Sequence, residues 1–196
     1  MDIRNRPISA RGKPKRFTKE FLTLIILASF CVFIIQLFFS INVVEGNSMT
    51  PTLNNGNIIL SCKTSSITRG DIVTINYQEQ RIILVKRVIG IPGEYLQIRK
   101  EGNIFSVWIR EKSNSTWHKV IEPYLVNSWN SELSTYPLNK SIYIPENYFF
   151  VMGDNRNVSI DSRILGLITK NEIIGKVCMT IIPLTANKSF SERPIM

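Results

Sequence analysis

Hydrophobic and polar positions divide this chain into two unlike parts. Residues 21–41, FLTLIILASFCVFIIQLFFSI, form an almost continuous apolar run with no charge and no proline. At 1.5 Å per residue the run reaches roughly 31 Å, about the thickness of a bilayer's hydrocarbon core. A cleaved signal peptide has a shorter apolar region of about 7–15 residues and a small-x-small site after it, and SINVVEGN offers no good site. A buried helix of a soluble protein explains neither the length nor the flanking charge. The pattern predicts an uncleaved transmembrane anchor over 21–41.

Beyond residue 42 the pattern becomes short runs rich in β-branched and aromatic residues: NIILSC (57–62), DIVTINY (71–77), RIILVKRVIGI (81–91), YLQIRK (95–100) and IFSVWIR (104–110). Turn signals separate them, at Asn54-Asn55-Gly56, Arg69-Gly70-Asp71, Pro92-Gly93 and Glu101-Gly102-Asn103. Pro92-Gly93 fits the centre of a type II turn, where glycine readily takes positive φ. Residues 111–141 are Ser/Asn-rich with scattered Trp117, Tyr124, Trp129 and Tyr136, and read as an insertion or long loop. Strands resume at SIYIP (141–145) and YFFVMG (148–153), and GKVCMTIIPL (175–184) closes the sheet. The exposed part is predicted to be mainly β.

Charge then orients the anchor. Residues 1–20 hold seven basic side chains (Arg4, Arg6, Arg11, Lys13, Lys15, Arg16, Lys19) against Asp2 and Glu20, whereas the next basic residue after the anchor is Lys63. The positive-inside rule puts this basic segment in the cytoplasm and the rest, from about 42 to 196, outside. Since the head carries +5 of the net +9, the excess is no basic face for nucleic acid. A length of 196 residues with 44% hydrophobic positions fits one domain and excludes disorder and collagen-like repeats.

Metal chemistry finds no support: there is no CxxC and no His/Cys/Asp cluster. Cys31 lies in the apolar run, and Cys62 and Cys178, 116 residues apart, are expected as two buried free thiols, although pairing remains open. Sequons at Asn114, Asn139, Asn157 and Asn187 matter only in a eukaryotic secretory pathway. A Ser-His-Asp triad would have to use His118, the single histidine, in the polar context TWHKV. No acidic residue sits in a motif suggesting paired-carboxylate chemistry.

Two residues stand out as a nucleophile and base. Ser48 lies in GNSMTPTL (46–53), seven residues past the apolar run, and Lys86 in IILVKRVIG (82–90). Neighbours in a strand point to opposite faces, so Lys86 and Arg87 cannot share one. Burial lowers a lysine's pKa, while arginine cannot lose its proton. A neutral lysine amine accepts a proton from a serine hydroxyl. On pattern alone, a snorkelling lysine and a Pro-stiffened turn is the simpler reading. GDNRNVSIDSR (153–163) is a third dense polar segment; counted as an EF-hand from Asn155 it has Ile160 where Gly is needed and Gly166 where Glu is needed. It also reads as a polar loop held by an Asp-Arg network.

Together, in this order, the segments resemble type I signal peptidase, the membrane-anchored serine protease that removes signal peptides from exported proteins. The resemblance covers the anchor, GNSMTPTL (46–53), GDIV (70–73), KRVIGIPGE (86–94) and GDNRNVSIDSR (153–163). It implies Ser48 as nucleophile, Lys86 as general base and Ser159 as the serine that hydrogen-bonds and orients the lysine. By the same resemblance Arg87, Asp154, Asp161 and Arg163 brace the site, and Val44, Met49, Leu53 and Val85 line pockets for small side chains. The implied fold is an antiparallel coiled-sheet β domain with a short β-rich insertion over about 101–140, with no cofactor and no metal.

The resemblance further implies a preprotein bound as an extended strand beside 42–47 and 81–86, in the bilayer that enzyme and substrate share. Some members carry a serine two residues before the nucleophile as an oxyanion donor. Here that position is Gly46, as in Gram-positive members, so the Ser48 N–H and the Gly46 region remain for the oxyanion. The competing readings are a tethered relative of the self-cleaving Ser-Lys repressors, for which residues 1–20 are too few to supply a DNA-binding domain, and a non-enzymatic membrane-anchored β-domain.

Overall fold

A computed structural model describes residues 15–63, 66–111, 115–130 and 137–182. Most of the basic head (1–14), the sequons at Asn114 and Asn187, Tyr136, and positions 183–184 of the last predicted strand lie outside the described residues. The chain divides into two units, the first ending at Leu37 and the second beginning at Phe38.

The described part of the first unit is helical, in α1 (Lys15–Phe38). Its segment Lys19–Phe38 has mean hydropathy 2.7, long and apolar enough to cross a membrane. The helix stops three residues short of the predicted anchor: 39–41 instead begin a strand, β1 (Phe39–Val43). Nothing in the apolar run marks that boundary. It becomes visible only in the alternating exposure along β1, which pairs antiparallel with β2 (Ile58–Cys62).

The second unit is mainly antiparallel β. Its remaining strands are β3 (Ile72–Tyr77), β4 (Ile82–Gly90), β5 (Tyr95–Glu101), β6 (Ile104–Arg110), β7 (His118–Lys119), β8 (Ile142–Tyr143), β9 (Tyr148–Met152), β10 (Ile168–Thr169) and β11 (Ile173–Ile182). A seven-stranded sheet runs β1-β2-β11-β3-β4-β9-β10, and a four-stranded sheet runs β7-β6-β5-β8. Every run predicted as a strand holds one. Besides β1, whose first residues fall in the predicted anchor, the elements that escaped prediction are the short ones: β7, β10, the four-residue helix α2 (Ser162–Leu165) and a 3-10 turn at Lys170–Glu172.

Between β4 and β5 the chain turns through Pro92-Gly93, where Gly93 has φ 86° and the Glu94 N–H donates to Ile91 O. This turn carries the chain from the large sheet to the small one. Ile89, Phe150 and Met152 of the first sheet then share a core with Leu96, Ile98, Phe105, Val107 and Ile109 of the second. A separate cluster of Val44, Met49, Leu53, Ile59, Ile72, Val85 and Val177 packs where the chain leaves β1.

The cysteine expectation needs correction. Cys62 on β2 and Cys178 on β11 are joined in a disulfide, with Cα atoms 6.2 Å apart. Neither is buried: Cys62 is half-buried and Cys178 exposed. Sequence distance hides the pairing because β11 returns to lie antiparallel beside β2. Lys176 stands opposite Cys62, and Cys178 falls in the bulge between Val177 and Met179. Closing a loop this long restricts the unfolded chain, an effect worth roughly 2–4 kcal/mol. Denaturant unfolding in reducing buffer, or of Cys62→Ser/Cys178→Ser, is expected to show a stability loss of that order; an unchanged midpoint would show that the bond contributes nothing.

Candidate active site

Ser48 sits in a loop tied to itself. Val44 N donates to Asn57 O, Gly56 N to Val44 O, and Gly46 N to the Asn55 side chain at 2.9 Å. Gly46 has φ 79°, the left-handed turn that brings the chain off β1 toward Ser48. A second loop, following β9, fixes the serine's other side: Asn155 N donates to Ser48 O at 3.0 Å, and the Asn155 amide to Asn47 O. These loops meet at Gly153. A Cβ there would fall 2.2 Å from Ser159 Oγ and 2.5 Å from Ser48 O, so only glycine permits the approach.

Lys86 reaches the serine from β4. Its side chain is 3% exposed, and Nζ donates to Ser48 Oγ at 2.8 Å and to Val85 O at 3.0 Å. Burial lowers its pKa from 10.5 to about 8; the charges of Asp161 and Asp154 act to raise it, and that of Arg163 adds to the lowering. Arg87, on the opposite face of the strand, is also fully buried.

The two arginines and two aspartates form two buried pairs. Arg87 grips Asp154 through Nε and Nη2 at 2.9 and 2.7 Å, and its Nη1 donates to Gly70 O. Thr52 donates to the same carboxylate. Arg163 grips Asp161 through Nε and Nη2, both at 2.8 Å, and donates to Arg156 O. Asp161 also caps α2 through the Arg163 N–H and accepts from Gly153 N at 2.9 Å. Burial pushes the Asp161 carboxyl up, but Arg163 and the Gly153 N–H outweigh it and hold it below the usual range.

The remaining expected residues divide. Val44, Met49 and Val85 line a groove of about 520 Å³ above the dyad. Leu53 does not: it is fully buried in the cluster with them, a support and not a groove wall. Ser159 is fully buried, but among the described residues the expected bond to Lys86 is not formed; its hydroxyl instead acts on the Asp161 carboxylate and helps hold that group's pKa down. Among the described residues the Ser48 N–H has no hydrogen-bond acceptor, whereas the Gly46 N–H donates to the Asn55 side chain. His118 lies exposed on β7 in the small sheet and does not line the groove.

Sequence reasoning missed a third buried pair. Arg156 binds Glu122 through both terminal nitrogens, one at 2.8 Å, and its Nε donates to Gly153 O. Tyr124, whose hydroxyl donates to Glu122, lies beneath the Arg87 guanidinium at 3.9 Å. Trp129 lies 5.0 Å from Arg163, and Asn157 bonds both Asn130 N and Ser128 O. The stretch that read as loop thus clamps the 154–163 segment. The only hint in the sequence was its spacing of Trp and Tyr among polar residues.

The family model described as signal peptidase, peptidase S26, matches residues 15–182. A signal peptidase I of Bacillus licheniformis is 38% identical over 166 residues, covering 80% of this chain and 84% of the relative. One from Bacillus amyloliquefaciens is 34% identical over 177 residues, covering 85% and 86%. Signal peptidase I T of Bacillus subtilis is 35% identical over 176 residues, covering 85% and 86%.

The Glu122–Arg156 pair offers a direct test of the clamp. Removing one partner of a buried pair leaves the other charge uncompensated, at a cost of about 3–5 kcal/mol. Glu122→Gln is expected to lose stability on that scale in denaturant titration. A loss below about 0.5 kcal/mol, typical of surface substitutions, would show that the clamp does not hold the loop.

Proposed function

The chain belongs to the signal peptidase S26 family, and on that premise we propose that Ser48 and Lys86 are the nucleophile and general base with which it cleaves signal peptides from preproteins. The observation that carries this reading is the 2.8 Å contact between Lys86 Nζ and Ser48 Oγ, with the amine buried and its pKa brought down to about 8. At that value an appreciable fraction of the amine is neutral near pH 7–8, the condition for base catalysis.

The preprotein lies extended in the groove beside β1 and β4, its small side chains toward Val44, Met49 and Val85. Neutral Lys86 takes the Ser48 proton as Oγ attacks the scissile carbonyl. The Ser48 N–H donates to the oxyanion of the tetrahedral intermediate. Lys86 then gives its proton to the departing amine, leaving an acyl-enzyme. Water, deprotonated by the same amine, attacks the ester; collapse returns the proton to Ser48 and frees the signal peptide. Ser159, buried beside Gly153 and close to the Asp161 carboxylate, is suited to receive and orient the amine as protons shift. Arg87, Asp154, Asp161 and Arg163 fix the surrounding charge. The mechanism calls for neither metal nor cofactor, and nucleic acid has no part in it.

The protein is membrane-anchored, and α1 is its apolar helix. The basic residues ahead of the helix support a cytoplasmic N-terminus and a catalytic unit outside, where exported substrates emerge. Protease added to intact spheroplasts is expected to digest the C-terminal unit; its protection would refute that orientation.

The dyad is tested by Lys86→Arg. Guanidinium keeps the charge but cannot accept a proton, so the variant should remain folded and be as inactive as Ser48→Ala. In the wild type kcat/KM should rise with pH through about 8 and level off above it, because the active form is the deprotonated amine. A folded Lys86→Arg enzyme keeping about a tenth of wild-type turnover, or a rate that falls across that range, would sink the mechanism.

A further inference from the structure

The groove over the dyad does not end at Val44. A second cleft of about 460 Å³ opens beside it, walled by 41–43 with Glu45 on one side and by 81–83 on the other. Val43, Glu45 and Ile83 line both spaces. The two clefts form one continuous path along the same pair of strands.

Both walls have unsatisfied strand edges. β1 is the outermost strand of its sheet and pairs only with β2. Residues 82–86 of β4 pair with β3, while β9 joins β4 only from Arg87 onward. Ile41, Val43 and Ile83 are each more than half exposed. An exposed apolar edge strand is an open template for another extended chain.

Two charges complete the cleft. Glu45 and Arg81 both line it, and neither side chain forms an ion pair or hydrogen bond among the described residues. Arg81 ends the turn from Gln78 with φ 54°, a conformation glycine adopts more easily, so the turn itself does not account for an arginine.

We propose that this second cleft binds the stretch of the preprotein that precedes the cleavage-site residues, continuing the same extended peptide, and that Glu45 and Arg81 read charge at two of its positions. The inference rests on the dyad reading and deepens it. Its direction follows from connectivity. Ile41 is three residues past the end of α1, so the cleft lies along the chain between the apolar helix and Ser48. A preprotein's own apolar segment and cleavage site bracket its connecting residues in the same order. Three extended residues span about 10 Å, the run from Val44 back to Ile41. The cleft therefore takes roughly the fourth to sixth residues before the scissile bond. Arg81 favours an acidic side chain there and disfavours a basic one. Glu45, shared with the dyad groove, does the reverse at a position nearer the cut.

The test uses the full-length enzyme in detergent micelles and a preprotein peptide carrying single Asp or Lys substitutions from the third to the seventh residue before the cut. The readout is the Asp-to-Lys ratio of KM at each position, which is independent of any general loss of activity. Wild type should favour Asp at a far position and Lys at a nearer one, by about fivefold each, the scale of an exposed charge pair. Arg81→Glu should invert the first preference alone, and Glu45→Lys the second alone. Identical profiles in the three enzymes, or a shift spread evenly over all positions, would overturn the proposal. Cleavage of the neutral parent peptide by wild type but not by Ser48→Ala reports separately on the dyad.

Discussion

Lys86 is almost wholly buried, and the negative charges of Asp154 and Asp161 act on it to keep it protonated. The base role proposed for it requires the opposite. What tips the balance is that neither carboxylate is left to act alone. Arg87 takes up Asp154 with two hydrogen bonds, and Arg163 takes up Asp161 with two more. Burial then outweighs the residual attraction, and the amine settles near pKa 8. The fold bears a cost for this. Between about 8 and the unfolded value near 10.4, the unfolded chain binds a proton that the folded one does not, so stability rises with pH across that window. Below it the penalty is complete, roughly 3 kcal/mol at about 1.4 kcal/mol per unit.

Buried ion pairs are poor stabilisers in themselves, because desolvation consumes most of the attraction. They persist when every donor and acceptor is met. Arg87 achieves this with Asp154, Gly70 O and the Tyr124 ring, and Arg163 with Asp161 and two backbone carbonyls. Glu122, Tyr124 and Trp129 come from the segment between β7 and β8, so closure over the arginines depends on chain that belongs to neither the nucleophile loop nor the base strand. Burial pushes the Tyr124 hydroxyl's pKa up, with Glu122 adding to the effect, so it remains a neutral donor at any physiological pH.

The strands were legible because β-branched runs between turn residues have few other folds available. The end of α1 was not, since Phe39 and Ile41 are as apolar as the residues of the helix before them. The two-residue strands β7 and β10 carry no periodicity to read, unlike β8, which sits in the β-branched and aromatic run SIYIP. At the site, Ser48 and Lys86 were visible as candidates, but a lysine among apolar neighbours has a bland explanation too; the order of four separated motifs decided the matter. Arg156 stood in one of those motifs and still went unremarked, because its partner Glu122 lies 34 positions away. The disulfide was hidden for the same reason: strand adjacency is a property of the sheet order, not of local spacing.

The serine is held by different means from the lysine. Lysine is positioned by its strand and its burial, whereas Ser48 is positioned by the Asn155 N–H on its carbonyl, by the Asn155 side-chain amide on Asn47 O, and by a loop tied to Asn55 and Asn57. Because Asn155 adjoins Asp154, and Gly153 touches both Ser48 O and Ser159, the nucleophile loop is docked on the segment that carries the bracing carboxylates. Moving either loop shifts the proposed nucleophile and the charges around Lys86 together. In a triad an aspartate holds the histidine by a hydrogen bond; in this site Ser159, proposed to orient the amine, is not bonded to it, and Lys86 Nζ donates to Ser48 Oγ and Val85 O. Here the docking of one loop on the other supplies that constraint, and in the proposed mechanism the Ser48 N–H is the donor that meets the developing oxyanion.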